Sequence, residues 1–166
     1  VYLMDIVAMG GSAFSDGRLK EILQAPEVTK LMYDCRADAD ALYHQFGVLL
    51  ANVYDVQVAY CTKRDAESRH RDRFVKGLKS ALADCPSLTP VAKADLDALK
   101  TRGVALFAPE KGGSYRVWKD RPLPPDLVAY AAADVCYLHD MFIAWKRFCP
   151  PPRMQIMVDR RIREAV

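Results

Sequence analysis

The stretch Tyr130-Ala131-Ala132-Ala133-Asp134-Val135-Cys136-Tyr137-Leu138 lies in the clearest predicted helix of the chain, which we expect to begin at Asp126 and to end before prolines 150–152. Tyr130 and Asp134 are four residues apart, so their side chains share one helix face, a turn from each other. A carboxylate on such a face can bind a hard cation, and a phenol one turn earlier can hydrogen-bond a water on that cation. The pattern is short, and it also fits a Tyr–Asp pair at the rim of a core helix. The predicted apolar stripe of this helix consists of Ala131, Val135, Leu138, Phe142 and Trp145.

A second acidic group follows a predicted short strand at residues 30–33 and enters a predicted helix at residues 38–46. Asp34, Asp38 and Asp40 alternate there. Acidic residues at a helix start also cap free N–H groups and suit the helix dipole, which is the simpler interpretation for Asp34 and Asp40. Helical angles do not choose between Asp38 and Asp40, because both flank the apolar stripe on opposite sides.

Strands and helices alternate along the chain, which predicts an α/β layer fold. We predict a buried strand at residues 1–7, because the run Val1 to Val7 is rich in strand-forming apolar residues. Residues 108–125 contain many glycines and prolines, so we expect an extended loop there. The expected organisation is one domain over residues 1–149 followed by a basic C-terminal tail over residues 150–166.

Composition is that of an ordinary globular protein. The chain has 166 residues, 51% of them hydrophobic and 27% charged, with a net charge of +3. The five scattered cysteines form no CxxC pair, which argues against a zinc site and favours free thiols in a reducing compartment. We therefore expect an intracellular location, nuclear or cytoplasmic. No uninterrupted run of about 18 apolar residues occurs, so we expect no membrane partner.

Taken together, the motifs resemble the RNase D-like branch of the DEDD exonuclease superfamily, whose third motif contains a tyrosine. Asp38 precedes Phe46-Gly47 at the family's second-motif spacing, and an Asp-x-Gln segment follows at residues 55–57. Tyr130 and Asp134, with a Tyr-Leu pair shortly afterwards, match the third motif. The resemblance covers roughly residues 1–146 and also includes a loop similar to that of a eukaryotic, especially fungal, subgroup: Lys111-Gly112-Gly113-Ser114-Tyr115 with Arg121-Pro122-Leu123.

The resemblance implies an RNase H-like exonuclease fold, with a mixed central sheet flanked by helices. It also implies a metal-dependent 3′-5′ exonuclease that hydrolyses phosphodiester bonds at the 3′ end of RNA or single-stranded DNA. The expected cofactor is a pair of Mg²⁺ or Mn²⁺ ions, which prefer oxygen ligands. In this interpretation Asp134 ligates one metal directly, Tyr130 orients the attacking water, and Asp38 holds the second metal through water.

One feature of the family is missing from the chain. Its first motif, an Asp-x-Glu on the strand before the one predicted at residues 1–7, has no counterpart, so the fold is expected to be N-terminally incomplete. An unpaired sheet edge would then remain, and we expect a separate N-terminal segment or self-association to cover it. The competing hypotheses are a catalytically inactive exonuclease-like domain that acts as an RNA-binding or protein-interaction scaffold, and a plain α/β interaction domain.

Candidate nucleic-acid contacts lie in the cationic, aromatic loop. Lysine and arginine side chains there can neutralise phosphates, and the aromatic side chains can stack on bases. The candidates are Lys111, Tyr115, Arg116, Trp118 and Arg121, and the basic stretch at residues 63–79 is a further one. A solvated surface with ordinary aromatic packing is the alternative interpretation.

Overall fold

The computed structural model describes residues 1–68 and 74–166 of the chain. In this part of the molecule helices surround a small parallel sheet. The elements are α1 (Ile6–Met9), α2 (Ser12–Ser15), α3 (Leu19–Gln24), β1 (Lys30–Met32), α4 (Arg36–Phe46), β2 (Val53–Asp55), α5 (Val56–Glu67), α6 (Leu78–Asp84), α7 (Pro90–Phe107), α8 (Pro125–Val135), α9 (Leu138–Trp145) and α10 (Pro151–Ala165). The predicted α/β class is confirmed, with a sheet smaller than expected.

The two strands form a parallel β-α-β unit with α4 as its crossover helix. Leu31 lies opposite Tyr54 in the register, and Met32 lies opposite Asp55. Parallel strands need a crossover of this kind, since a tight turn can join only antiparallel strands. The carboxyl ends of β1 and β2 therefore meet at one edge, beside the start of α4.

Helix α4 ends where the sequence predicts. Gly47 adopts a left-handed conformation with φ 61°, and its N–H donates to the carbonyl oxygens of Leu42 and Tyr43. Glycine takes this conformation without the penalty that a Cβ atom would impose, so it stops the helix and closes its last turn. This stop fixes the length of α4 and hence the position of its first turn, which carries Asp38.

A buried carboxylate joins the sheet to α4 and α10. Asp55, which is fully buried, accepts from the backbone N–H of Asp34 at 2.9 Å and of Cys35 at 3.3 Å. It also caps α5 by accepting from Gln57 N at 3.0 Å. The guanidinium of Arg161 donates to Asp55 Oδ2 at 2.7 Å. Burying a charge is costly unless it is paired and hydrogen-bonded, and Asp55 meets both conditions.

The main core lies between the sheet, α5, α9 and α10. Trp145 packs on Tyr60 with ring centroids 4.7 Å apart, and both rings are buried. The segment expected to be a basic tail is a helix that belongs to this core. Met154, Val158 and Ile162, spaced four residues apart, are buried on one face of α10.

The predicted strand at residues 1–7 is wrong. Residues 1–4 are exposed and α1 follows as a single helical turn, with Tyr2 96% exposed. An apolar run predicts burial, but a strand also needs a neighbouring strand to accept its hydrogen bonds. Among the described residues the sheet contains only β1 and β2, so the segment has no strand to pair with.

The helix predicted from Asp126 to the prolines at 150–152 is two helices, α8 and α9, separated at Cys136 and Tyr137. The two helices pack on different neighbours, α8 on α7 and α9 on α5. The stretch Pro125–Trp145 is nevertheless long and apolar enough to cross a membrane on length and composition alone. A single stretch of this kind is weak evidence, because core helices of soluble proteins pass the same test.

Candidate nuclease site

Asp38 and Asp134 line the same cavity, although they are far apart in the sequence. The cavity measures about 420 Å³ and lies at the carboxyl end of β1. Its walls are formed by Leu31, Met32, Tyr33, Asp38, Leu78, Asp134, Val135 and Leu138. Two acids therefore face a space with largely apolar walls, a setting in which carboxylates interact strongly with cations and with each other.

The local fold explains how the two acids meet. Asp38 lies in the first turn of α4, directly after β1, and Asp134 lies in the last turn of α8. Helix α9 continues from α8 and packs against β1, which places the end of α8 beside that strand. The spatial convergence that the sequence interpretation requires is thus present for these two residues.

The electrostatics of Asp38 are those of a carboxyl among other carboxyls. Its pKa is raised above the ordinary value, first by desolvation of its carboxyl group and then by the nearby charges of Asp34, Asp55 and Asp134. Residue 38 is exposed as a whole, so these effects act on a group that still reaches water. The carboxyl group is therefore destabilised in its charged form unless a cation compensates it.

Tyr130 lies one turn before Asp134, but its ring packs against α7 and the inter-motif loop. The ring lies 5.4 Å from that of Phe107 and 6.3 Å from that of Trp118, between centroids. Desolvation and then the charge of Asp134 raise its pKa. The phenol is therefore protonated at neutral pH and can orient a water or phosphate oxygen as a hydrogen-bond donor.

A lysine on α7 completes the site. Lys100 Nζ forms an ion pair with Asp134 Oδ1 and donates to the backbone oxygen of Tyr130 at 3.3 Å. It also lies 3.8 Å from the centroid of the Tyr130 ring, within the range of a cation–π interaction. The lysine side chain is 13% exposed, compared with 39% for that of Asp134.

The residues present do not fit a two-metal centre by themselves. In residues 1–68 and 74–166, no group of three or more His, Cys, Asp and Glu side chains is positioned to hold a metal. The cavity presents two carboxylates, and one of them is paired with Lys100. The other nearby acids are also engaged. Asp34 binds Arg36 at 2.6 Å, and Asp40 lies 3.6 Å from His44.

The candidate nucleic-acid residues in the loop differ in their accessibility. Lys111 and Arg116 are exposed in two short 3₁₀ turns at Pro109–Lys111 and Tyr115–Trp118. The Tyr115 ring is 63% exposed and lies 6.0 Å from that of Phe107. The loop expected to be irregular therefore contains two ordered turns, and three of its candidates remain open to a ligand.

The other two loop candidates are engaged within the protein. Arg121 donates to Asp5 Oδ2 at 2.6 Å and to the backbone oxygens of Trp118 and Asp120. This bond lowers the pKa of Asp5 to about 2. Trp118 is half-buried against Phe107, with ring centroids 5.5 Å apart. Arg121 and Trp118 therefore help to hold the loop in place, and their role as nucleic-acid contacts stays a prediction.

In the basic stretch, Lys63 pairs with Glu67 and Lys79 pairs with Asp97. Arg69, Arg71 and Arg73 lie outside the described residues. The basic stretch stays a candidate contact, with its lysines at 63 and 79 engaged in ion pairs.

Comparison with known proteins identifies the family. A family model described as 3′-5′ exonuclease matches residues 1–146. The chain belongs to the 3′-5′ exonuclease family. The match covers the elements from α1 to α9 and includes Asp38, Tyr130 and Asp134 of the exonuclease domain.

Relatives of this exonuclease domain include RNA-related proteins. The domain is 32% identical over 143 residues to the mouse piRNA biogenesis protein EXD1, and the alignment covers 83% of this chain and 23% of that protein. It is 28% identical over 124 residues to ribonuclease D of Nitrobacter hamburgensis, covering 75% of this chain and 26% of that protein. The chain therefore spans about a quarter of the length of these relatives.

Solved structures show the same fold. The Trypanosoma brucei RNase D in complex with GMP matches 97% of this exonuclease domain and 46% of its own chain, with a TM-score of 0.69 and 23% identity. A second structure, the apo form of a nuclease, covers 89% of this chain and 56% of its own, with a TM-score of 0.51 and 22% identity. The fold is thus that of RNase D-like exonuclease domains.

Two charged residues, one in the site and one that attaches α10 to the sheet, were not found by sequence reasoning. Lys100 lies on α7, in a region with no recognised motif, and Arg161 lies in the segment assigned to a tail. A basic residue that pairs with a distant acid has no local signal, because the two share neither a helix face nor a fixed spacing.

Proposed function

We propose that this domain binds the 3′ end of RNA or single-stranded DNA at the Asp38–Asp134 cavity and that the full-length protein hydrolyses the terminal phosphodiester bond as a 3′-5′ exonuclease. The observation that carries the proposal is the convergence of Asp38 and Asp134 on one cavity, with Tyr130 one turn from Asp134. Membership of the 3′-5′ exonuclease family and the likeness to ribonuclease D support it.

Mg²⁺ or Mn²⁺ is the cofactor that this proposal requires, because such ions prefer carboxylate oxygens. Asp134 would be its direct ligand and Asp38 an outer one through water. Two carboxylates are fewer than a pair of cations needs, so hydrolysis depends on ligands beyond the described residues. Tyr130, whose raised pKa keeps its phenol protonated, would donate a hydrogen bond to a water or phosphate oxygen, and Asp38 would supply a carboxylate on the cavity wall.

The test is an exonuclease assay on the full-length protein. A 5′-labelled single-stranded RNA and the matching DNA are incubated with Mn²⁺ or with EDTA, and a 3′-phosphorylated copy of each serves as the blocked substrate. We expect a ladder that shortens from the 3′ end only with Mn²⁺ and only on the unblocked strand. Asp134→Asn should abolish it, and Asp38→Asn should lower the rate by about 10- to 100-fold.

The matched control is Asp40→Asn, which removes an exposed acid from the same helix as Asp38 without touching the cavity. Its rate should stay within about twofold of the unsubstituted protein, because surface substitutions away from a site have small effects. Equal losses in Asp38→Asn and Asp40→Asn would count against the assignment of Asp38.

A second function is favoured by the ion pair between Lys100 and Asp134. A domain whose cavity carboxylate is already neutralised can bind RNA without cleaving it, as an inactive exonuclease-like module. In that case a filter-binding assay shows retention of RNA in EDTA, and the exonuclease assay shows no shortening with Mn²⁺ for the unsubstituted protein. Asp134→Asn then leaves the RNA unchanged in length.

Association through the N-terminal segment is the remaining part of the proposal. Val1, Tyr2, Leu3 and Met4 are all exposed, which is unusual for a contiguous apolar run. A separate N-terminal segment or a second copy of the chain would cover them. Light scattering coupled to size exclusion should give a mass above that of one chain, and a monodisperse monomer would contradict this part.

The five free cysteines are consistent with the nuclear or cytoplasmic location that we propose.

A further inference from the structure

The lysine of the site has the contacts of a bound cation. An ammonium group has three N–H donors and no acceptor. In Lys100 these donors face a carboxylate oxygen of Asp134, the backbone oxygen of Tyr130 and the face of the Tyr130 ring. The carboxylate oxygen of Asp134 and the backbone oxygen of Tyr130 are oxygen ligands of the kind that a metal ion also binds. The ammonium group therefore occupies the place of a cation in this cavity wall.

Burial separates this pair from the ordinary surface pairs of the domain. Lys79 and Asp97, also on neighbouring helices, have side chains that are 76% and 51% exposed. The Lys100 side chain is 13% exposed, so water screens its charge much less. Exposed ion pairs contribute little to stability, whereas removing one partner of a buried pair leaves the other charge uncompensated.

The helix spacing keeps Lys100 in this position. Helices α7 and α8 pack closely because Gly103, one turn after Lys100, lies directly against Tyr130. The lysine stem therefore runs along the Tyr130 ring, and its Nζ reaches Asp134 at the end of α8. The aliphatic stem covers apolar surface while the charged end reaches the carboxylate.

We infer that Lys100 is the resident cation of this cavity: it neutralises Asp134 while no metal ion is bound, and a divalent ion reaches Asp134, as the proposed function requires, only by displacing it. Asp134 is therefore available to a metal ion only in competition with Lys100. A divalent ion that approaches Asp134 is repelled by the positive charge of Lys100, which contacts the same carboxylate. The ion binds Asp134 only if Lys100 Nζ moves away. Lys100 is thus a positioning residue, which acts through Asp134.

The first test measures Mn²⁺ binding to the full-length protein by calorimetry and by the loss of the free-ion EPR signal. Lys100→Met keeps the length and apolar character of the stem but removes the charge, and we expect it to bind Mn²⁺ at least about tenfold more tightly than the unsubstituted protein. Lys100→Arg keeps the charge and should retain the weak binding. Lys93→Met, on the same helix but outside the lining of the cavity, is the matched control and should change affinity by less than about twofold.

The double variant Lys100→Met with Asp134→Asn locates the effect. The gain in Mn²⁺ affinity should disappear in it, since Asp134 is the carboxylate released by the first substitution. A change below about twofold in Lys100→Met, or a gain that persists in the double variant, would overturn the inference.

The second test needs no substitution and therefore does not depend on how the variants fold. Reductive methylation followed by peptide mass mapping compares Lys100 with Lys93 in the unsubstituted protein. Lys100 should be modified more slowly, and saturating Mn²⁺ should accelerate its modification while leaving that of Lys93 unchanged. If Mn²⁺ binds without exposing Lys100, the two cations do not compete and the inference is wrong.

The outcome is separable from that of the exonuclease proposal, because both tests detect metal and not hydrolysis. If the protein hydrolyses its substrate but Lys100→Met leaves the Mn²⁺ affinity unchanged, this inference is wrong and the exonuclease proposal stands. Tighter Mn²⁺ binding in Lys100→Met, without hydrolysis of any substrate, would support the inference and count against the exonuclease.

Discussion

Gly103 and Tyr130 are in such close contact that a Cβ atom at position 103 would lie 2.4 Å from Tyr130 Cδ2 and 2.9 Å from Tyr130 Cβ. Rotating the ring cannot relieve this overlap, because the Cβ of the tyrosine is itself in the way. The glycine thus sets the distance between α7 and α8. It also sets the place of the phenol beside Asp134.

We predict that Gly103→Ala moves Tyr130 and weakens the site. Overpacking of this kind costs about 1–3 kcal/mol, which exceeds the gain of about 1 kcal/mol in helix propensity that alanine brings. Urea unfolding should show a net loss of up to about 2 kcal/mol, and exonuclease activity or RNA binding should fall. The Tyr130 ring resonances in an NMR spectrum should shift.

The control for this prediction is Gly77→Ala at the start of α6. A Cβ atom there meets nothing within 4 Å, and the residue does not have a positive φ. This variant should leave both the Tyr130 resonances and the activity unchanged. Equal effects at the two glycines would mean that backbone flexibility, not contact with Tyr130, matters at position 103.

The sequence predicted the local features of this domain well. Gly47 ends α4 as expected, and the spacing of Tyr130 and Asp134 on one helix is present. These features depend on neighbouring residues, so a single sequence is enough to predict them. Asp55 caps α5 through a similarly local contact, with the backbone N–H of Gln57.

Features that depend on distant residues were not predictable in this way. The pairs Lys100–Asp134 and Arg161–Asp55 join segments that no periodicity connects. The apolar run at residues 1–7 predicted a strand because composition reports a tendency for burial, whereas a strand also needs a pairing partner. What the sequence missed is therefore set by tertiary packing.

We predict that the Asp55–Arg161 pair is the most sensitive polar contact of the fold. Asp55→Asn or Arg161→Met leaves the other charge buried without its partner, which typically costs about 3–5 kcal/mol. Urea unfolding should show a loss of this size for each single variant. In the double variant the loss should be smaller than the sum of the two, since neither charge is then left alone.

An exposed pair on the same helix provides the comparison. Arg160 and Glu164 have side chains that are 76% and 63% exposed. Arg160→Met should change the free energy of unfolding by no more than about 1 kcal/mol. If Arg161→Met were equally mild, α10 would not depend on Asp55 for its attachment.

Asp38→Asn should stabilise the domain at neutral pH and not at acidic pH. The folded state raises the pKa of Asp38, so folding favours the protonated carboxyl group. That contribution is fully present below the pKa of the unfolded chain and is lost as the pH rises through the higher, folded pKa. Asparagine carries no charge at any pH and avoids this loss.

The increase in the free energy of unfolding of Asp38→Asn at neutral pH should be modest, up to about 1 kcal/mol, because residue 38 is exposed and water screens its charge. Thermal unfolding at pH 3 and at pH 7 measures it: the melting temperatures of the variant and the unsubstituted protein should agree at pH 3, and that of the variant should be higher at pH 7. A lower melting temperature at pH 7 would mean that ionised Asp38 is stabilised by a partner. Together with a loss of activity in the same variant, a gain would show a charge kept for function at the expense of stability.

The last prediction concerns Lys111 and Arg116, two exposed cations of the loop beside Tyr130. Each contact to a phosphate of a single strand contributes about −0.7 to the slope of log affinity against log salt concentration. Lys111→Ala and Arg116→Ala should each reduce the steepness of that slope by about this amount, for RNA of any sequence. Arg163→Ala, which removes an exposed cation from α10, is the matched control and should leave the slope unchanged. Arg121→Ala should behave differently, because its guanidinium binds Asp5: we expect destabilisation of the loop without the characteristic change in salt dependence. If the slopes for Lys111→Ala and Arg116→Ala equal that of the unsubstituted protein, the nucleic acid binds another surface of the domain.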